Sequence, residues 1–160
     1  MQAMARPDVE IRPLDLANAD VAAGVLDVQR RSYAVEARLI GSDRIPPLHE
    51  SLEELQACGE TFLGAYLEGS LAAVVSWRFD GVTIDLHRLA VRPDFFRRGL
   101  GVALLRAALR SEPEARRAIA QTGAANEPAK QLYRSEGFAE LGDREVLPGL
   151  WISQFERALP

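Results

Sequence analysis

The chain has 160 residues, enough for one domain with a single core, and its 48% hydrophobic and 26% charged residues are typical of a folded globular protein. Its net charge of −4 disfavours a general nucleic-acid binder, and its two histidines, far apart in sequence, give little support to a metal site. With one cysteine, no signal pattern and no apolar run of roughly 18 to 20 residues, we expect a single cytoplasmic domain over residues 1–160 without a disulfide or membrane span.

The first third of the chain reads as a strand, helical segments and a loop. Residues 9–14 predict a short strand, and apolar residues at helical spacing over 16–39 predict one long helix or a pair of helices. Glycine and proline mark a loop over 41–51. Ser51 followed by Glu54 is a capping-box pattern, which predicts a second, shorter helix.

Three β-rich runs follow, separated by turn-forming glycines, and they predict an antiparallel meander. Helices and strands then alternate to the end of the chain, with a further short strand near Phe138. The predicted elements are strands at 61–69, 70–80 and 82–91, a helix at 100–109, a strand at 116–122, a helix at 126–137 and a strand at 150–156. This order predicts an α/β domain with a mixed sheet.

The stretch RRGLG lies where a helix is predicted to begin after the third run. The first amides of a helix have no intrahelical partner and its dipole makes that end partly positive, so a phosphate is stabilised there. Gly99 and Gly101 leave space for an anion, and Arg97 and Arg98 add charge. Leu104 stands where a dinucleotide fingerprint needs its third glycine, which disfavours a nicotinamide cofactor. A plain glycine turn with solvated arginines is the alternative.

An acidic residue and a histidine lie two positions apart in the third run. Strict alternation over 83–91 places Asp85 and His87 on one face together with Leu89 and Val91, and the residues between them on the other face. A histidine next to a carboxylate can accept a proton near neutral pH. A solvent-facing polar pair would show the same pattern, so both interpretations stay open.

The predicted helix at 126–137 has Asn126 as its N-cap and Gly137 after its last turn. Asn126, Lys130 and Tyr133 fall on one stripe of this helix at spacing i, i+4, i+7. A tyrosine at this spacing is usually a core residue, so the helix alone does not indicate a site.

In combination, LAVRP, RRGLG and NEPAKQLYRSEGF resemble the GCN5-related N-acetyltransferase (GNAT) superfamily, and the matching core runs from about residue 83 to 138. The resemblance implies a central mixed, mostly antiparallel sheet of six to seven strands flanked by about four helices. It also implies acetyl-CoA as co-substrate, with no metal, and identifies the anion at RRGLG as the pyrophosphate of coenzyme A.

The same resemblance implies which residues hold the cofactor. The family's loop pattern Q/R-x-x-G-x-G/A falls on 96–101, where Phe96 replaces the usual Gln or Arg. Main-chain groups of the preceding strand would pair with the pantetheine arm, and one amide would polarise the thioester carbonyl. The implied cofactor-binding residues are Leu89, Ala90, Val91, Phe96, Arg97, Arg98, Gly99, Leu100, Gly101, Asn126 and Lys130.

For catalysis, Tyr133 matches the family tyrosine that donates a proton to the departing thiolate. Some similar members have histidines at the positions of Asp85 and His87, and others have a glutamate at the first. The pair is therefore our candidate for the general base, acting directly or through water. Many relatives have no single essential base, so a chain of waters is the alternative.

The resemblance implies an acceptor pocket lined by residues 35–55, where Glu36, Asp43 and Glu50 could attract a cationic amine. We expect acetyl transfer from acetyl-CoA to a primary amine, favouring a small molecule, by direct attack in a ternary complex. The alternatives are a protein N-terminal acetyltransferase, a non-catalytic acyl-CoA sensor and an anion-binding structural domain. Neither nucleic acid nor membrane is an expected partner, and a homodimer through edge strands is common in similar proteins.

Overall fold

This computed structural model describes residues 8–41 and 49–160. These residues contain seven strands and four α-helices. In chain order they are β1 (Val9–Pro13), α1 (Ala19–Ile40), α2 (Leu52–Gln56), β2 (Thr61–Leu67), β3 (Ser70–Phe79), β4 (Thr83–Val91), a 3₁₀ turn (Pro93–Phe95), α3 (Leu100–Arg110), β5 (Arg117–Gly123), α4 (Glu127–Ser135), β6 (Ala139–Leu147) and β7 (Leu150–Ala158).

All seven strands join one sheet in the order β1-β2-β3-β4-β5-β7-β6. The first four form the predicted antiparallel meander, β4 and β5 are parallel, and β7 pairs antiparallel with both β5 and β6. The predicted mixed, mostly antiparallel fold is confirmed. The strand expected near Phe138 is longer than predicted, because β6 runs for nine residues along β7, with register shifts on both sides of its centre.

Both helices in the first third of the chain are fixed by side-chain caps. The Asn18 side chain accepts hydrogen bonds from the amides of Asp20 and Val21, and the helix that starts there continues unbroken to a left-handed Gly41 with φ 69°. One long helix is therefore formed rather than a pair. The predicted capping box between Ser51 and Glu54 is also present at the start of α2.

Apolar side chains form one cluster on each face of the sheet. On the face covered by α3 they include Trp77, Ile84, Leu104, Tyr133 and Phe155. On the face covered by α1 and α2 they include Val25, Tyr33, Leu55, Phe62 and Val74. No helix in the described ranges is long and apolar enough to cross a membrane.

A β-bulge at His87 interrupts the alternation of β4. Arg88 pairs with Ser76 but Leu86 pairs with the next residue of β3, so His87 is an extra residue in the strand. As a result Leu86 and Leu89 both pack on the α3 side, whereas Arg88 reaches α1. The strict alternation predicted over 83–91 is therefore wrong, because an inserted residue exchanges the faces of every side chain after it.

The cap of α1 gives a direct test of this architecture. Asn18→Ala removes the acceptor of two amide hydrogen bonds and should lower the free energy of unfolding by about 1 kcal/mol. Asn18→Asp keeps an acceptor at the same place and should stay within a few tenths of a kcal/mol of the unmutated protein. Urea denaturation measures both variants, and equal midpoints for Asn18→Ala and the unmutated chain would contradict this role of the cap.

Candidate active site

A cleft opens in the sheet where β4 and β5 diverge. The two parallel strands pair only between 83–85 and 117–119. Beyond these three pairs, β4 continues over 86–91 bonded to β3 alone, and β5 continues over 120–123 bonded to β7 alone. The facing edges therefore present backbone N–H and C=O groups that no strand of the described residues satisfies.

The helices that follow these two strands begin at the mouth of the cleft. A Cβ built on Gly101 in the first turn of α3 would lie 3.5 Å from the Leu132 side chain, which places the first turn of α3 beside α4. Gly99 is the N-cap of α3 with φ 76°, and no side chain in the described part of the chain caps the free amides there. Arg97 also adopts a left-handed conformation, with φ 65°, which is uncommon for a residue with a side chain.

The predicted loop residues thus form a solvent-facing turn at the cleft. Phe96 is 42% exposed, and Arg97, Arg98 and Gly99 are exposed as well. A Cβ at Gly99 would meet no atom within 4 Å, so the glycine is required by its positive φ rather than by packing within the chain. An anion can therefore approach the amides of the first turn.

The stripe predicted on α4 is buried. Asn126 accepts from the amide of Ala129 at 3.3 Å, which caps the helix. The ammonium of Lys130 donates to the carbonyl of Ala124 at 3.1 Å and lies 3.4 Å from Glu140. These contacts hold Lys130 within the protein, and its role in binding a cofactor stays a prediction.

Tyr133 projects from the same stripe and is 6% exposed. Its ring packs against Phe138 and Phe155, each with a centroid separation of 5.4 Å. No hydrogen bond to its hydroxyl forms among the described residues, and no fully buried polar side-chain atom there lacks a partner, so this oxygen is not fully buried. Burial raises the pKa of Tyr133, and the nearby Glu36 carboxylate raises it further. The phenol therefore stays protonated and keeps a hydrogen-bond donor.

His87 lies between two carboxylates. Its Nε2 is 3.3 Å from Asp85 and its Nδ1 is 3.2 Å from Glu60. The hydrogen bond with Glu60 is the main cause that raises the pKa of His87 above its ordinary value. Burial opposes ionisation of Glu60, but bonds from His87, Arg88 and Ser76 outweigh it and lower the pKa of Glu60 to about 2. The predicted Asp85/His87 pair is thus formed, with a third member that sequence reasoning missed.

A buried ion cluster lies next to this histidine. Arg88 is 6% exposed and binds Glu50 through both terminal nitrogens, Glu60 at 2.8 Å and the side chain of Gln29 at 3.0 Å. The carboxylate of Glu50, predicted to attract the acceptor, is therefore already paired, and that role stays a prediction. Asp43, the other loop candidate, lies outside the described residues.

Glu36 lies in the last third of α1. Its carboxylate faces the side chains of Thr122 and Asn126 and the amide of Gly123. Burial raises the pKa of Glu36, and these polar groups offset the effect only in part. The residue was predicted as an acceptor-binding side chain, and the structure places it beside the end of β5 and within electrostatic range of Tyr133.

Sequence reasoning missed Glu60 and Arg88. An arginine between apolar residues of a strand does indicate a buried partner, because an unpaired buried charge is costly. Nothing local identifies that partner, since Glu60 lies 28 residues away along the chain.

A family model and a curated relative each match most of the chain. The model of the "Acetyltransferase (GNAT) family" matches residues 26–138. Over 137 residues the chain is 35% identical to UPF0157 protein YqkA of Bacillus subtilis (strain 168), covering 86% of this chain and 40% of that protein. The chain thus spans about two fifths of the length of that relative.

Solved structures share the fold. A PaiA N-acetyltransferase from Thermoplasma acidophilum, solved with coenzyme A, superposes with a TM-score of 0.76 at 19% identity, covering 94% of this chain and 99% of that one. YncA, a putative acetyltransferase from Salmonella typhimurium solved with acetyl-CoA, gives a TM-score of 0.72 at 17% identity, covering 95% and 94%.

The charge pattern around His87 predicts its titration. The His87 pKa should lie above about 6.5 in the unmutated chain and fall in Glu60→Gln, because the strongest partner of the imidazolium is lost. Asp85→Asn should lower it less, since that carboxylate is 47% exposed. NMR titration of the imidazole measures all three pKa values, and an unchanged value in Glu60→Gln would contradict the assignment.

The same shifts give the sign of a stability change with pH. The His87 pKa is raised on folding, so protonated His87 stabilises the folded state. This contribution to the free energy of unfolding is complete below about pH 6.5 and is lost as the pH rises through the folded-state pKa. The Glu60 pKa is lowered on folding, so ionised Glu60 stabilises the folded state. This contribution to the free energy of unfolding is present above the ordinary glutamate pKa of 4.5 and is lost as the pH falls through about 2.

Proposed function

Because the chain belongs to the GNAT acetyltransferase family, we propose that it is an N-acetyltransferase that moves an acetyl group from acetyl-CoA to a primary amine. The acceptor is a small molecule that reacts by direct attack in a ternary complex. The observation that carries this proposal is the divergence of β4 and β5, which leaves a strand edge open in a domain that also holds the buried phenol of Tyr133.

The residues at the cleft fit coenzyme A. The open edge of β4 offers N–H and C=O groups to an extended amide-bearing arm, as an added strand would use them. The uncapped first turn of α3 and the exposed Arg97 and Arg98 suit a pyrophosphate. The coenzyme A and acetyl-CoA in the two solved structures of the same fold support this assignment.

Bound acetyl-CoA would supply an acyl group activated as a thioester. The β4 amides would polarise the acyl carbonyl, and the open cleft would hold the amine within reach of it. Tyr133 would donate a hydrogen bond to the leaving sulfur. The raised pKa of Tyr133 makes full proton transfer to sulfur less favourable than it is for a free phenol. The hydrogen bond would therefore stabilise the leaving thiolate before the proton is transferred.

The role of Tyr133 separates an enzyme from a non-catalytic acyl-CoA sensor. Tyr133→Phe should lower kcat at least tenfold with an unchanged dissociation constant for coenzyme A, because it removes only the hydroxyl. Tyr66→Phe in β2 is the matched control and should keep full activity. Release of free thiol from acetyl-CoA is followed with small amines and with short peptides as acceptors.

Full activity of Tyr133→Phe on an accepted amine would contradict this assignment. If coenzyme A binds but no amine or peptide releases thiol, the sensor is the better description. Turnover of peptides alone would instead favour a protein N-terminal acetyltransferase.

The charge at the start of α3 should control cofactor affinity. Arg97→Glu should weaken coenzyme A binding about tenfold or more, because it places a negative charge beside the pyrophosphate. Arg110→Glu makes the same change in the last turn of α3 and should leave affinity within about twofold. Calorimetric titration measures both variants, and equal affinities would show that the loop does not bind the phosphates.

A further inference from the structure

We infer that Arg98, held in place by the ring of Phe95, binds the 3′-phosphate of coenzyme A and so selects coenzyme A over its 3′-dephospho form. This inference rests on the proposed acetyl transfer and deepens it, because it names the group of the cofactor that one side chain recognises. It separates the two arginines of the loop: Arg97 stays with the pyrophosphate, and Arg98 takes the third phosphate.

The ring of Phe95 is the fixed part of this site. Phe95 ends the 3₁₀ turn before the loop, and its amide donates to the carbonyl of Arg92 at 2.9 Å. Its side chain is half-buried and packs against the apolar cluster on the α3 face of the sheet. The ring is therefore held by the core and still presents part of its surface to solvent.

Two guanidinium groups lie against this ring. The Cζ atom of Arg98 is 5.6 Å from the ring centroid, and the Cζ atom of Arg92 is 5.1 Å from it. A cation within about 6 Å of the centroid of an aromatic ring is attracted to it. Phe95 thus fixes the position of a guanidinium that would otherwise move freely at the surface.

The two guanidinium groups differ in how their charge is compensated. The carboxylate of Asp94 accepts hydrogen bonds from Nε of Arg92 at 3.2 Å and from one of its terminal nitrogens at 2.9 Å. Arg98 forms no salt bridge within residues 8–41 and 49–160, and it is exposed. The charge of Arg98 is therefore available to a ligand, and the charge of Arg92 is already paired.

A guanidinium that is already stacked suits selective binding. Its side chain has lost part of its conformational freedom before a ligand arrives, so less freedom is lost on binding. Its charge also lies at a defined place beside the start of α3, because Arg98 directly precedes the N-cap Gly99. Arg97 has no such contact in the described part of the chain, which leaves its side chain free to follow the pyrophosphate.

Coenzyme A carries a group that matches this position. Its ribose bears the pyrophosphate on one side and a phosphate monoester on the 3′ oxygen. A monoester has a charge of roughly −1.5 to −2 near pH 7 and three oxygens that can pair with a guanidinium. With the pyrophosphate at the first turn of α3, the monoester is only a ribose away, next to the residue that precedes the helix.

The test compares coenzyme A with 3′-dephospho-coenzyme A by calorimetric titration. The unmutated chain should bind coenzyme A at least tenfold more tightly, and Arg98→Gln should bring the two dissociation constants within about twofold by weakening coenzyme A alone. Arg97→Gln is the matched control. It should weaken both ligands by about the same factor and keep the preference, because both ligands retain the pyrophosphate.

Phe95 is tested as a positioning residue by the same ratio of affinities. Phe95→Leu keeps an apolar side chain but removes the ring, and it should lower the preference for coenzyme A about threefold or more. Phe95→Tyr keeps the ring and should keep the preference. An unchanged affinity for 3′-dephospho-coenzyme A in Phe95→Leu shows that this variant is folded.

Equal affinity of the unmutated chain for the two ligands overturns the inference, and so does a full preference for coenzyme A in Arg98→Gln. A full preference in Phe95→Leu overturns the role of the ring. Failure of both ligands to bind the unmutated chain would instead overturn the proposed function.

Discussion

The short pairing of β4 with β5 is the constraint on which the rest of this structure depends. Three residue pairs hold the two strands together, and the sheet then splits. A buried backbone group that loses its partner costs about 1–3 kcal/mol, so the gap must contain water or a ligand that supplies hydrogen bonds. An opening of this kind is stable only if each half of the sheet is held by its own contacts. Those contacts are the antiparallel meander on one side and the β5–β7–β6 pairing on the other.

Each half of the sheet carries a different part of the site, and α1 connects them. The first half supplies Asp85, His87 and the cation Arg88, and the second half supplies the N-cap Asn126 and the phenol of Tyr133. The helix α1 contacts the first half through Gln29, which binds Arg88, and faces the second half through Glu36. A change in the position of α1 would therefore alter both walls of the cleft together.

The order of elements could be predicted because its signals are local. The cap residues Ser51 and Asn126 mark helix starts within a few positions, and glycine turns separate the strands of the meander. The bulge at His87 could not be predicted, because it is a property of the register between β3 and β4. The full length of β6 was missed because its charged, glycine-containing sequence forms a strand only by pairing with β7.

The site was predicted in its parts more than in its arrangement. Asp85 and His87 are neighbours as their spacing indicated, and Tyr133 is buried on the predicted stripe. The placement of Glu60 against His87, and of Glu36 against the end of β5, depends on tertiary contacts between distant segments. Residue type gives the chemistry of a side chain, and spacing along the chain gives its face on a helix or strand. Neither identifies the partner that a distant element brings to it.

The two outer edges of the sheet limit where an extended molecule can add to it. The strand β1 has five residues and ends at Pro13, and the register of β6 shifts on both sides of its centre. Short, proline-ended and bulged edges are poor templates for further strands. The regular edge of β4 over 88–91 lies inside the cleft, so the sheet can be extended from within more readily than from its sides. The features that make the outer edges poor sites for edge-to-edge aggregation are therefore absent from β4 over 88–91, whose open backbone groups lie within the sheet.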